Sequence, residues 1–367
     1  MVEYLSGGRI QGTSTLTEQP PQSQWKEIGR FEVTGSTAQT FSVRGLNSAT
    51  SGSLANKKFL KVIGSIIPSG AQDVQMKFND PSFSDTDQEY ATRDNRDFNS
   101  SDSLSGSYDS ITKMNLTAGQ SPTVHWGFEI DIVNISGKEK LMQGEFCYSA
   151  ASAIGTAPKS MQFTGKWSDT SSVIESINFT AGTNNFAVGT EVIVLGMDED
   201  EGTTGTNFFQ ELAYIEPLSA NATLLDSGEF TAKKYIIVEY FTKNSSAWYG
   251  QFNSDNAQNY AYRYYANSSA GGNSSSGQYK GFLNYTNNSD GAFGRVFVIG
   301  GTGQNKLIIQ QANESSATNS GLTPYNVKVV GKWSGSDKIK SVQIRKEPSG
   351  GVSDIQAGSY IRVWGSD

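Results

Sequence analysis

Apolar residues occur in short runs that are continuous or alternate with polar residues, and Gly, Ser, Asn and Asp separate these runs. Alternation with a period of two is typical of half-buried β-strands, and the separating residues are typical of turns. No stretch keeps apolar residues at helical spacing over three turns, so no long amphipathic helix is predicted. The first half predicts eight strands, near 40–44, 59–67, 74–78, 124–135, 141–148, 160–167, 172–179 and 190–196. In the second half the same pattern predicts a comparable set of strands, near 234–241, 248–252, 260–265, 279–283, 295–299, 306–311, 326–333, 338–346 and 360–364.

The second half of the chain repeats the first in the same order. The triplet Gly165–Trp167 returns as Gly331–Trp333, and Phe78-Asn79 returns as Phe252-Asn253. The spacing between partners falls from 184 residues at the start of the repeat to 166 at these triplets, as insertions in loops would produce. The period is too long for a solenoid or a propeller, so the repeat predicts two copies of one domain.

Many short strands with long connections favour a jelly roll over an immunoglobulin-type sandwich, whose disulfide and tryptophan signature is missing. The sequence therefore predicts an all-β fold: two tandem antiparallel β-sandwich, jelly-roll-like domains related by internal duplication. We expect an N-terminal arm over 1–24, where Pro20-Pro21 interrupts a weakly apolar stretch. The first domain is predicted at 25–197, an acidic Gly/Thr-rich linker at 198–207, and the second domain at 208–367.

Composition excludes several classes of partner. Charged residues make up 18% of the chain, the net charge is -7 and no basic block occurs, so we expect no nucleic-acid partner. No stretch approaches the roughly 20 apolar residues of a membrane helix, so no membrane contact is expected. The N-terminal residues have no apolar signal core, and we expect synthesis in a cytoplasm without classical export.

The chain offers little material for catalysis. Its single histidine, His125, and its single cysteine, Cys147, both lie in apparent strands and are predicted to be structural. Ser/His/Asp or Cys/His machinery has no support, and no zinc ligand set can be drawn from them. The acidic stretches 85–89 and 198–201 are the densest oxygen clusters, and we interpret them as solvated loops. The prediction is no catalytic residue, no metal site and no cofactor.

Aromatic residues in the second copy are the best candidates for contact with a partner or a glycan. Because alternate residues of a strand share one face, three of these rings are expected to lie together. Two interpretations stay open: the rings line the core or a subunit interface, or they form a stacking surface for sugars. The residues in question are Trp248, Tyr249, Tyr260, Tyr262 and Tyr264.

Three elements resemble structural proteins encoded by viruses of marine bacteria and archaea. They are the opening stretch 4–14, the Tyr-Ala-x-Arg element at 90–93 and 260–263, and the closing strand at 358–365 with its counterpart at 189–196. The resemblance implies a virion component with β-sandwich domains, either in the capsid, on its surface or in a fibre. It implies a homo-oligomer, with a trimer favoured, that contacts other virion proteins after assembly in the host cytoplasm. It implies no catalytic residues.

The function expected from the sequence is therefore a non-enzymatic virion structural protein, part of the capsid or of its surface decoration. The alternative is a receptor-binding or carbohydrate-binding fibre or adhesin module that contacts a host-surface glycan. Contacts with partners are expected where the two copies differ, namely in the aromatic run after Trp248, the loop at 267–277 and the acidic loop around Asp85.

Overall fold

The structure is a computed structural model. It describes residues 3–5, 9–11, 25–45, 54–71, 73–84, 86–99, 102–117, 124–149, 155–197, 207–216, 222–243, 248–266, 273–278, 280–283, 291–314, 325–346 and 354–367. In the predicted arm it describes one antiparallel hairpin of β1 (Glu3–Leu5) and β2 (Arg9–Gln11). Of the predicted linker, only Asn207 lies within the described residues.

The described part of the first half is built of strands and one 3-10 turn at Leu54–Asn56. The strands are β3 (Lys26–Glu32), β4 (Thr40–Arg44), β5 (Phe59–Ile66), β6 (Gln75–Phe78), β7 (Tyr90–Asn99), β8 (Asp102–Ile111), β9 (Met114–Asn115), β10 (Trp126–Val133), β11 (Lys140–Tyr148), β12 (Lys159–Trp167), β13 (Ser176–Thr180) and β14 (Glu191–Met197).

The second half has a matching set of strands. They are β15 (Gln210–Ile215), β16 (Leu224–Asp226), β17 (Tyr235–Thr242), β18 (Trp248–Phe252), β19 (Tyr260–Ala266), β20 (Asn273–Gln278), β21 (Phe282–Leu283), β22 (Ala292–Ile299), β23 (Lys306–Glu314), β24 (Tyr325–Trp333), β25 (Val342–Lys346) and β26 (Tyr360–Ser366). The described residues include no helix that is long and apolar enough to span a bilayer.

Each half is a sandwich of one eight-stranded and one four-stranded antiparallel sheet. In the first half the orders are β3-β14-β5-β10-β11-β12-β7-β8 and β4-β13-β6-β9. If the flanking strands β3 and β14 and the hairpin β11-β12 are set aside, the remaining eight strands can be numbered 1 to 8 along the chain. They then lie in the orders 1-8-3-6 and 2-7-4-5. This is the strand order of a jelly roll, in which two Greek keys wrap around one core. The predicted fold class is confirmed.

The second half repeats this topology strand for strand, with orders β15-β26-β17-β22-β23-β24-β19-β20 and β16-β25-β18-β21. Detailed contacts repeat as well. Asn79 and Asn253 both have positive φ, 59° and 53°. Each amide bridges the start of a neighbouring strand: Asn79 Oδ1 accepts from the amide of Glu175 at 2.8 Å, and Asn253 Oδ1 accepts from that of Lys340 at 2.8 Å. Asparagine suits this position because its short polar side chain tolerates the left-handed region.

Alternation along the strands explains the two cores. On β10 the side chains of Trp126, Phe128, Ile130 and Ile132 point inward and are buried, whereas the residues between them face away from the sandwich. The strand β22 repeats this with the smaller inward residues Ala292, Val296 and Val298. Successive side chains of a strand point to opposite faces, so the same strands leave a second face on each large sheet. Through these second faces the two large sheets contact each other.

The sequence missed several strands at the sheet margins. Among the described residues each sandwich has twelve strands, where eight and nine were predicted. The missed strands include β8, whose described side chains are mostly exposed, and β20, whose sequence Asn-Ser-Ser-Ser-Gly-Gln has no apolar residue. Edge strands with little buried surface show no hydrophobic period. Part of the loop predicted at 267–277 is thus the edge strand β20, and 267–272 lies outside the described residues.

Candidate functional site

The two sandwiches pack against each other through the outer faces of their large sheets. At the centre of this contact, the Arg295 guanidinium donates to both carboxylate oxygens of Glu129, at 2.7 and 3.1 Å. Lys61 lies 3.3 Å from the same carboxylate. Burial alone would raise the pKa of Glu129, but the charges and hydrogen bonds of Arg295 and Lys61 outweigh it and lower this pKa to about 2. The carboxylate is therefore ionised between two cations.

Glu129 and Arg295 occupy the same position in the two copies. In the first copy Lys140 pairs with Trp167, and in the second Lys306 pairs with Trp333, which sets equivalent residues of these strands 166 apart. The same offset relates Glu129 to Arg295 across β10 and β22. It also relates Glu145 to Gln311, and the Gln311 amide donates to Glu145 at 2.9 Å. Because equivalent residues contact each other, the two sheets are related by a local two-fold pseudo-axis through these pairs.

On one side of this axis the interface is closed, and we call this side the closed half. Gly127 has no side chain, and a Cβ built there would lie 3.0 Å from the Ile299 Cδ1 and 3.4 Å from the Leu307 Cδ1. Cys147 is fully buried and donates through its thiol to the Gly331 carbonyl at 3.5 Å. Burial raises the pKa of this thiol to about 12. The bare backbone at Gly127 thus lets aliphatic side chains of the second copy approach the first sheet.

Polar groups at the edge of the closed half are also paired across the interface. The Glu191 carboxylate is 2% exposed and accepts hydrogen bonds from Arg30, Tyr235 and Lys234, the last at 2.5 Å. Burial would raise the pKa of Glu191, but these partners, Lys234 first, lower it. Burial and the neighbouring carboxylate raise the pKa of Tyr235. A carboxylate of the first copy is thereby held by two side chains of the second.

His125 belongs to the same closed half. Its imidazole lies between the Ser65 hydroxyl, 3.0 Å from Nε2, and the Asn305 carbonyl, 3.1 Å from Nδ1. Burial lowers the pKa of His125 to about 4, and the cations Lys234 and Lys306 act in the same direction. The neutral ring links the two copies, so its position serves packing between the sandwiches.

On the other side of the pseudo-axis the sheets diverge and leave a cleft. We call this side the open half. Its cavity has a volume of 930 Å³. It is lined by Trp25, Phe59, Leu60, Lys61, Asp131, Ile132, Val133, Leu141, Met142, Gln143, Thr164, Met197, Phe209, Ile237, Glu239, Arg295, Arg362 and Trp364. Such a cleft between two domains, apolar with a few polar groups, is a common type of ligand site.

The charged groups that line the cleft have partners. Lys61 Nζ lies 2.6 Å from Asp131, and Arg362 Nε lies 3.4 Å from Glu211. The Trp364 indole donates to Glu239 at 3.0 Å. Opposite charges at these distances neutralise each other locally. The charged groups of this mainly apolar cleft therefore create no field of a single sign.

Four aromatic rings lie beside the cleft on the second sheet, and three of their strands, β17, β22 and β26, also line the cleft. Phe293 is 52% exposed and is the direct cross-strand neighbour of Phe241, which in turn is the neighbour of Tyr360. The rings of Phe241 and Tyr360 lie 6.2 Å apart, and Tyr214 lies 6.1 Å beyond Tyr360. These four rings, which we call the aromatic row, cross the strands β15, β26, β17 and β22.

Comparison of the copies explains why one half is open. The positions equivalent to Phe293, Phe241 and Tyr360 hold Gly127, Ser65 and Glu191 in the closed half. A glycine, a serine and a hydrogen-bonded carboxylate let the sheets meet. Three rings at the equivalent positions are too bulky for the same approach. The cleft thus results from sequence divergence between two duplicated surfaces.

The structure places the aromatic residues predicted as a contact site mainly in the second core. Trp248 is 1% exposed and Tyr260 is 0% exposed. Tyr262 is buried and Tyr264 packs against the same core, so the face that these tyrosines share is the inner face of β19. Tyr249 is buried on β18 under the Lys280 ammonium. None of these rings belongs to the aromatic row, and the structure does not bring them to the cleft.

The described residues contain no group of three or more His, Cys, Asp or Glu side chains arranged to hold a metal ion. The stretch 198–201 and Asp85 lie outside the described residues. In the other acidic stretch, 85–89, Glu89 accepts a hydrogen bond from the Trp167 indole at 2.8 Å. In the second copy, Asp255 accepts the corresponding hydrogen bond from the Trp333 indole at 2.7 Å. Both carboxylates thus anchor a repeated tryptophan.

One feature of the sequence points to the cleft, namely the difference between the two copies. Tyr214, Phe241, Phe293 and Tyr360 are far apart in sequence and form no motif. Sheet register alone brings them into one row. An alignment of the copies through β10 and β22 would have set Phe293 against Gly127, which is a large change at an outward-facing position.

No protein-family model matches the chain, and no curated protein matches it. Among solved structures, it is similar to domains LG4-5 of the mouse laminin alpha1 chain, with 10% identity over 95% of this chain and 92% of that one and a TM-score of 0.19. The T=3 Penaeus vannamei nodavirus gives 8% identity over 100% and 96%, with a TM-score of 0.15. An acyl-CoA hydrolase from Agrobacterium tumefaciens gives 8% identity over 82% and 98%, with a TM-score of 0.14. The jelly-roll fold of this chain is defined by its strand order.

Proposed function

We propose that this chain is a non-enzymatic structural protein of a virus particle, part of the capsid or of its surface decoration. The observation that carries the proposal is the joining of two jelly rolls into one block through the outer faces of their large sheets. The Glu129–Arg295 pair and the Gln311–Glu145 hydrogen bond fix this joint at its centre. Jelly rolls recur in viral capsids, and a particle subunit needs domains with a fixed relative orientation.

The charged groups buried in the interface support a packing role. The carboxylates Glu129 and Glu191 are both held by cations of the opposite copy. In this proposal the buried ion pairs fix the orientation of one sandwich relative to the other. The resemblance of the opening and closing sequence elements to structural proteins of marine viruses points in the same direction.

The partners that follow from this proposal are other copies of the chain and further virion proteins. A homotrimer is the favoured assembly, located in the virion after assembly in the host cytoplasm. A trimer of a duplicated chain contains six sandwiches. In this proposal the two domains comprise residues 25–197 and 208–367. Neither nucleic acid nor a membrane is a partner.

Mass spectrometry of purified particles from the virus that encodes this chain tests the proposal. We expect the chain at many copies per particle, retained after the particles are banded in a density gradient. Its absence from banded particles, with recovery of known particle proteins in the same sample, would refute the proposal. Electron microscopy of the recombinant protein supplies the second readout, because a subunit of a shell or fibre is expected to form symmetric oligomers.

The second candidate function is a receptor-binding or carbohydrate-binding fibre module. The aromatic residues first considered for it, such as Trp248 and Tyr260, lie in the core and offer no ring face to a sugar. One observation nevertheless favours a ligand at another place. The aromatic row presents the exposed rings of Tyr214 and Phe293 beside the cleft, on a surface that the sequence did not predict.

A further inference from the structure

We propose that the aromatic row and the mouth of the cleft bind a neutral oligosaccharide. This proposal concerns a surface and does not rest on the assignment of the chain to a virus particle. It applies to Tyr214, Tyr360, Phe241 and Phe293 on the outer face of the second large sheet.

The row has the geometry of an extended stacking surface. Its rings come from four adjacent strands, β15, β26, β17 and β22. Adjacent strands lie about 4.8 Å apart, so the row extends over about 14 Å, which suits several sugar rings rather than one. Tyr214 is 43% exposed and Phe293 is 52% exposed. The two rings at the ends of the line are thus exposed, the two between them are half-buried, and a continuous apolar surface of this kind marks a contact site.

Polar groups continue the row in the same direction. Asn313 is the cross-strand neighbour of Phe293, and Asn326 is the neighbour of Asn313. Both residues are exposed, and the side-chain Nδ2 of Asn326 lies 3.4 Å from the side-chain Oδ1 of Asn313. An amide offers a donor and an acceptor side by side, which matches a pair of adjacent sugar hydroxyls. Rings that cover C–H faces and amides that bind hydroxyls are the two kinds of group that a sugar requires.

The charge distribution selects a neutral ligand. Three of the four rings lie two residues along their strands from a side chain of the cleft: Phe241 from Glu239, Phe293 from Arg295, and Tyr360 from Arg362. Arg295 binds Glu129, Arg362 lies beside Glu211, and Glu239 accepts from Trp364. A sulfated or uronic-acid chain would have to compete with these carboxylates. A neutral chain needs hydrogen bonds only.

Comparison of the copies sets the row apart from ordinary surface variation. The equivalent residues Gly127, Ser65 and Glu191 all serve the closed half of the interface. In the second copy the same three positions carry rings that face outward at the cleft. Replacement of all three by aromatics on one line is what a stacking surface requires.

Binding of the purified full-length protein to an array of neutral oligosaccharides, followed by titration calorimetry with the best binder, tests the proposal. We expect binding that is insensitive to 0.1–0.5 M salt, about the range over which exposed charge interactions are screened. Phe293→Ala and Tyr360→Ala are each expected to weaken it about tenfold, because each removes one stacking ring. Asn313→Ala is expected to weaken it less.

Tyr108→Ala is the matched control, because Tyr108 is 43% exposed, as Tyr214 is, but lies on β8 of the first sandwich. The Tyr108→Ala variant should bind the oligosaccharide with the affinity of the unchanged protein. Circular dichroism should show that all variants are folded. Absence of binding to every oligosaccharide of the neutral array would overturn the proposal. So would binding that persists in Phe293→Ala and Tyr360→Ala, or a loss of self-association in these variants without any glycan binding, which would make the row a protein interface.

Discussion

Glu129 and Arg295 occupy equivalent positions in two copies of one domain and form an ion pair with each other, at 2.7 Å. Self-complementary contacts of this kind normally arise between two identical subunits, where a residue at the axis meets its own copy. Two glutamates at this position would repel each other. The change to arginine in one copy turns the axis into an attractive contact and makes the two halves different.

This pair should be energetically coupled. We expect Glu129→Gln and Arg295→Gln each to destabilise the protein by about 2 kcal/mol, because each leaves a charged partner in a largely desolvated interface. The double variant should lose less than the sum, with a coupling energy of about 1–3 kcal/mol. Urea unfolding of the four proteins, followed by tryptophan fluorescence, measures the cycle. Strict additivity would show that the two side chains do not depend on each other.

A leucine should destabilise the protein at position 127 but not at the equivalent position 293. Gly127→Leu is expected to destabilise the protein by about 1–3 kcal/mol, because its side chain would meet Ile299 and Leu307. Phe293→Leu should change stability by less than about 0.5 kcal/mol, because Phe293 is exposed in the open half. Thermal unfolding compares the two directly. Equal losses would mean that both halves of the interface are closed.

Cys147 should report on the separation of the sandwiches. Its thiol is buried between the copies with a pKa of about 12, so the native protein is expected to react very slowly with a disulfide reagent at pH 8. Leu307→Ala should accelerate labelling at least about tenfold, because it leaves a cavity beside the thiol. The equivalent Leu141→Ala, where the leucine is 55% exposed, is the control and should leave the rate unchanged.

His125 should make stability depend on pH in a defined window. Its pKa of about 4 in the folded protein lies below the ordinary value of 6.5, so the unfolded chain binds the proton first on acidification. Stability is therefore expected to fall by about 2 kcal/mol between pH 7 and pH 5, and this loss should level off near pH 4.

His125→Gln keeps a polar side chain between Ser65 and the Asn305 carbonyl and cannot titrate. Its stability should change much less than that of the unchanged protein between pH 7 and pH 5. The pKa values of the Glu129 and Glu191 carboxylates lie below the ordinary value of a glutamate, so their contribution to stability is lost mainly at lower pH. An unchanged slope in His125→Gln would assign the transition to another group.

Much of the fold follows from local patterns. The strand predicted at 40–44 coincides with β4, and those predicted at 248–252 and 260–265 match β18 and β19 within one residue. Buried strands such as β5 and β10 carry apolar residues wherever they face the core, so their period is visible. Strands β8 and β20 lie at sheet edges and bury little, which is why their sequences resemble loops.

The aromatic candidates show the limit of the same reasoning. Alternation correctly groups Tyr260, Tyr262 and Tyr264 on one face of a strand, but it does not say whether that face is inner or outer. Tyrosine suits both, because its ring is apolar and its hydroxyl finds partners in the core: the Tyr260 hydroxyl accepts from the Phe252 amide at 3.0 Å.

The sequence by itself determined the all-β fold class and the duplication, because both are written in periods and repeats that a linear chain displays. The tertiary structure decided which outer faces meet, since the contacts that join the sandwiches link residues such as Glu129 and Arg295, which are 166 positions apart. It also decided that Phe293 lies at an open cleft while its equivalent Gly127 lies in a closed interface. Only sheet register and the packing of one copy on the other bring these positions together.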